Sequence, residues 1–209
     1  VFSVASGATI TTGDEAAFTT LLTNEDNGNI VITDQNLTVS SGTISVSNAN
    51  SLNATTTGTV TASIDVTESV DTLVTLSGTG AYTIDIRSED ATNSTAAEFN
   101  TINSATTVAI DASEVTALAS SNLSDVKTLL TAANDTDQFT DSTGKVSFGG
   151  LTGVTIADAT VDVSDFNAAV TQANTATGKT TAAGGATVFT LSNVTAFNGG
   201  TASDFGTLR

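Results

Sequence analysis

Apolar residues recur along this chain with two periods. Phe18, Leu21 and Leu22 stand at i, i+3, i+4, and Phe99 and Ile102 share a three-residue step. Val126, Leu129, Leu130 and Ala133 extend the pattern to i+7, as do Phe166, Ala169, Val170 and Ala173. This spacing predicts amphipathic helices over Asp14–Thr23, Thr95–Ala105, Ser124–Ala133 and Ser164–Ala173. Thr12 with Glu15 and Thr95 with Glu98 have capping-box spacing, and Ser124 and Ser164 stand where N-caps belong. Helices of about three turns are not stable alone and must pack.

Short β-branched runs lie between them. The clearest are Asn29–Thr33, Leu37–Ser40, Thr43–Ser47, Gly58–Ser63, Leu73–Leu76, Ala81–Arg87, Thr106–Ala112, Val154–Ala157 and Ala186–Leu191. Several alternate, as in Tyr82, Ile84, Ile86, which is the period of a strand with one buried face. Gly and Asn clusters such as Asn27-Gly28-Asn29 and Gly149-Gly150 punctuate them.

The units resemble one another. Val46–Ala62 and Ser94–Ala112 each run from a polar turn to a Leu or Phe followed by Asn, then a Thr-Thr pair and an alternating strand ending in Ala. Val163-Ser-Asp-Phe-Asn begins a more degenerate copy. Irregular self-similarity of this kind predicts a solenoid-like stack, since one unit cannot bury its own apolar face. The expected fold is therefore an α/β repeat of mainly parallel short strands with short amphipathic helices on one face; an all-β solenoid or sandwich is the alternative. Residues 1–209 are expected to form one elongated repeat-like domain, with a possible sub-boundary near 134–150.

The phrases at Val46–Ala62, Ser69–Ile86 and Thr95–Ala112 resemble repeats in very large secreted bacterial surface proteins, the adhesin-like and surface-layer-like proteins of cyanobacteria and other Gram-negative bacteria. The resemblance covers residues 40 to 135. It implies an extracellular structural role, assembly into a coat, fibre or stalk, and calcium dependence. The glycine-rich nonapeptide calcium repeat of such proteins does not occur in this sequence.

Composition narrows the chemistry. His, Cys, Met, Trp and Pro are absent, and 22 acidic against 5 basic side chains give a net charge of −17. Without His or Cys there is no imidazole base, no triad, no disulfide and no soft-metal site. Proline lacks the N–H that a strand ladder needs, so its absence suits long ladders. The scattered Lys127, Lys145, Lys179, Arg87 and Arg209 argue against nucleic acid, and no apolar run is long enough to span a membrane. With a single Tyr and no Trp, aromatic platforms for sugars are lacking, and the nine Phe belong to the core. An enzyme is not expected.

What remains is oxygen chemistry. Asp135, Asp137 and Asp141 alternate as hard-cation ligands do, although without the EF-hand glycine and closing Glu; Glu25 and Asp26 form a second acidic turn. Calcium is the only cofactor these residues suggest. Asn36, Asn53, Asn93, Asn122, Asn134 and Asn193 head Asn-x-Ser/Thr triplets, a number that composition alone produces. Thr9-Ile-Thr11, Thr55-Thr-Thr57 and Thr59-Val-Thr61 have the local spacing of an ice-binding face but no fixed period, so they read as solvent-face strand residues. The expected function is a structural subunit or segment of an extracellular surface layer, filament or adhesin stalk that self-associates into a homopolymer. A module binding carbohydrate or a receptor on a cell or phage surface is the alternative.

Overall fold

The structure is a computed structural model that describes residues 1–87, 93–134, 139–140, 151–176 and 187–206. The chain divides into two compact units, one of Val1–Asp85 with Ile102–Ala109 and one of Ile86–Thr101 with Ile110–Arg209. The class is mixed α/β, and every strand pair among the described residues is parallel. Seven helices among those residues exclude the all-β alternative.

In the first unit the order is β1 (Phe2–Ser3), β2 (Thr9–Thr12), α1 (Glu15–Asp26), β3 (Ile30–Val31), β4 (Asn36–Val39), α2 (Val46–Thr55), β5 (Val60–Ser63), α3 (Val70–Leu73) and β6 (Ala81–Thr83). Strands β2, β4, β5 and β6 form one sheet in that order, and β1 pairs with β3. Each strand therefore pairs with the next strand of its kind, and the intervening helix supplies the crossover that parallel pairing requires. Leu37, Val39, Val60, Ala62 and Tyr82 point inward and are buried.

Helix α4 (Ala96–Ser104) contributes residues to both units. The second unit continues with β7 (Ile110–Asp111), β8 (Ala117–Ser121), α5 (Leu123–Ala133), β9 (Phe139–Thr140), β10 (Gly153–Ile156), β11 (Thr160–Asp162), α6 (Val163–Ala176), β12 (Val188–Thr190), β13 (Ala196–Asn198) and α7 (Ala202–Gly206). Its sheets are β12-β10-β8, β11-β13 and β7-β9.

One frame recurs in the helices. The first, fourth and seventh residues are buried in α2 (Val46, Ala49, Leu52), α4 (Ala96, Phe99, Ile102), α5 (Leu123, Val126, Leu129) and α6 (Val163, Phe166, Ala169). The short α3 keeps the first two of these as Val70 and Leu73. This narrow stripe is what a helix lying on a sheet buries.

The frame explains where the sequence misleads. Thr43–Ser47 and Leu73–Leu76 are expected as strands, yet Val46 opens α2 and Leu73 closes α3. Ser45 and Ser69 cap those helices by accepting from Asn48 N and Thr72 N, and the three-residue apolar period outweighs the β-branched residues. Other caps also shift. Helix α1 is capped by Asp14, whose Oδ1 accepts from Ala17 N at 3.0 Å, rather than by Thr12. Helix α5 starts after Asn122 rather than at Ser124. At α6 the Asp162 carboxylate, not Ser164, takes the first free amides. The Thr95–Glu98 capping box forms in both directions.

Candidate functional site

Two sets of side chains tie a helix to a distant segment of the chain. The first is the fifth residue of the helix frame. Asn50 donates to Thr75 O at 2.9 Å and accepts from Ser77 N at 2.8 Å. Asn100 donates to Asp125 O at 3.0 Å, 25 residues on, and Asn167 to Asp204 O at 2.9 Å, 37 residues on. In α5 the fifth residue is Lys127, whose Nζ lies 2.5 Å from Asp165 Oδ1, 38 residues on. Asn can reach a backbone carbonyl without carrying charge, and Asn50 joins two backbone groups in this way, whereas Lys127 needs a carboxylate at the far end.

The second set serves the amides at helix N-termini, which have no partner inside the helix. Val46 N donates to Glu68 Oε1 at 2.9 Å, Ala96 N to Ser121 Oγ at 2.9 Å and Leu123 N to Asp158 Oδ2 at 2.6 Å. Each acceptor comes from a later segment of the chain. Glu15 works in the other direction: its Oε1 accepts from Ser45 N and Asn48 Nδ2, and the Asn48 amide chiefly holds its carboxyl below the ordinary range. Carboxylates at helix N-termini also complement the helix dipole.

These contacts shape a groove of about 590 Å³ in the second unit. Leu123, Lys127, Thr128 and Thr131 of α5 form one side, and Asp158, Thr160, Asp162 and Asp165 the other. Its carboxylates are already engaged. Asp158 caps α5, Asp165 pairs with Lys127, and Asp162 accepts from Ser164 N and Oγ and Asp165 N. The Ser164 hydroxyl and then the Asp165 amide hold the Asp162 carboxyl below its usual range. That direction suits a cap and is opposite to the upward shift of a general acid. No aromatic ring lines the groove.

The acidic residues singled out from the sequence fall elsewhere. Asp135, Asp137 and Asp141 lie outside the described residues, as does most of the expected sub-boundary near 134–150. Glu25 and Asp26 end α1. Among the described residues no group of three Asp or Glu is placed to hold a metal ion. Of the triplet asparagines, Asn36 accepts from Thr59 N, Asn134 donates to Leu130 O and Gln172 O, and Asn193 donates to Ile156 O. Asn53 packs over Gly78, whereas Asn93 and Asn122 are exposed. Asp158 and Asp162 escape sequence reading. Asp162 stands three residues before Asp165, a recognisable cap spacing, but nothing local marks Asp158 as the cap of a helix 35 residues earlier.

Among the described residues no helix is long and apolar enough to cross a membrane. Comparison with protein-family models, curated proteins and solved structures finds no match.

Proposed function

We propose that this chain is a non-enzymatic structural segment of an extracellular bacterial surface assembly, a surface layer, filament or adhesin stalk, built as an α/β solenoid. The observation that carries the reading is the recurrent tie from one helix to a later segment of the chain, made by Asn50, Asn100, Lys127 and Asn167, all fifth in their helices. Polar side chains spent on internal ties serve rigidity rather than turnover. The parallel strand pairs support the same reading, since their ladder extends by adding units. The resemblance of residues 40–135 to repeats of secreted surface proteins supports the location, as does a Cys-free chain of charge −17. Like-charged subunits associate once cations or salt screen them, which is where calcium enters this reading.

Electron microscopy of the purified protein with calcium, then with chelator, tests the proposal. Ordered sheets or filaments that dissolve on chelation are expected. Monodisperse particles under both conditions, with retention on a carbohydrate or cell-surface array, would replace it with the binding-module reading.

A further inference from the structure

The irregular spacing of the Thr-x-Thr motifs disguises a regular surface. Strand register aligns Thr11 with Thr38, Thr38 with Thr61 and Thr61 with Ala81. A second file pairs Thr9 with Asn36, whose Oδ1 accepts from Thr59 N, and a third pairs Ser63 with Thr83. These residues alternate with the buried Leu37, Val39, Val60, Ala62 and Tyr82 and so occupy the outer face of the first unit's four-stranded sheet. Neighbouring strands lie about 4.8 Å apart, and residues two apart on a strand about 6.6 Å, so the side chains form a two-dimensional net.

Three features separate this face from an ordinary polar surface. Parallel sheets are normally covered on both faces, yet Thr9, Thr11, Thr59, Thr61 and Thr83 are exposed. The files carry no Asp or Glu although the chain has 22. Most telling is where the hydroxyls go. Helix threonines spend theirs internally: Thr19, Thr20, Thr23, Thr55, Thr128, Thr131 and Thr171 each donate to the carbonyl four residues earlier. The hydroxyls of Thr9, Thr11, Thr38, Thr59, Thr61 and Thr83 make no hydrogen bond to any described residue. β-Branching restricts their side chains, so the array is ordered before anything binds.

The geometry points to this face as a binding surface for ice. An ice face presents oxygen atoms on a rectangular net with spacings of this size, and the threonine hydroxyls and methyls offer it matching donors, acceptors and apolar contacts without charge. Crystalline polysaccharide fits less well, because the sole tyrosine, Tyr82, is buried beneath the sheet and no Trp exists.

The test is incorporation of the full chain into a slowly growing ice hemisphere, with fluorescently labelled protein. Wild type is expected to enter the ice. Thr38→Tyr with Thr61→Tyr, at positions where strands favour aromatics, should be excluded while keeping its circular dichroism and melting temperature. Thr61→Val, which removes one hydroxyl and keeps the shape, should reduce entry, and Thr20→Tyr on α1 should leave it unchanged. Exclusion of wild type, undiminished entry of the folded double variant, or retention on cellulose or chitin but not on ice would each overturn the proposal.

Discussion

The two units build the same helix frame, and the second adds a charged cross-link to the neutral kind that both contain. In the first, the tie from α2 is neutral, Asn50 to the backbone of Thr75 and Ser77, and spans 25 and 27 residues. In the second, Asn100 and Asn167 make neutral ties that span 25 and 37 residues, and the tie from α5 is an ion pair, Lys127 to Asp165, that spans 38. The buried residues keep their apolar character in both units, whereas the side chain that reaches outward changes from Asn to Lys in α5. The core stripe thus defines the unit, and the length and charge of each connection vary around it.

Truncating the stripe should have the largest effect and should be alike in both units. Leu52→Ala in α2 and Leu129→Ala in α5, both fully buried seventh residues, are each expected to cost about 2–5 kcal/mol, read by denaturant unfolding. A large loss in one and a negligible loss in the other would break the equivalence. Removing the neutral tie ranks next. Asn50→Ala leaves Thr75 O and Ser77 N without that partner and should cost about 1 kcal/mol.

Acid sharpens the comparison further. Glu15 in the first unit and Asp162 in the second are both held below ordinary carboxyl values, Glu15 chiefly by Asn48 and Asp162 chiefly by the Ser164 hydroxyl. A depressed folded pKa contributes stability that is present above the unfolded value of about 4 and lost as pH falls through the folded value. Melting temperature should therefore fall as pH drops below about 4, and Glu15→Gln should flatten part of that fall. The smallest effect belongs to the ion pair. Lys127→Ala should cost about 1 kcal/mol or less, since Lys127 and Asp165 are 32% and 52% exposed, and added salt should shrink the difference.

Much of this fold is legible in the sequence, and each exception has a physical cause. Helices α1, α4, α5 and α6 declare themselves because their apolar residues repeat every three or four positions. Phe99-Asn100 and Phe166-Asn167 mark the fourth and fifth residues of the frame, whereas the similar Leu52-Asn53 stands at the seventh and eighth of α2, and nothing local reveals what Asn100 or Asn167 reaches. Strand β8 is missed because Ala117–Ser121 contains no β-branched residue and pairs through Leu118 with Val154. Helix α2 is mistaken for strand at its start because Val46 is β-branched, while Ser45 as its cap decides the outcome. The groove is invisible in one dimension, since Asp158 meets Leu123 only after the chain has folded back. The threonine net is hidden for the same reason: register, not sequence period, brings Thr11, Thr38 and Thr61 into line.

One strand–helix frame recurs at changing lengths, with parallel pairing of strands across an intervening helix. Through-space proton contacts in isotopically labelled protein test it most directly. Contacts of Leu37 with both Ile10 and Val60, and of Val154 with both Leu118 and Phe189, are expected. Contacts of these residues confined to near neighbours in sequence, as antiparallel hairpins would give, would contradict it.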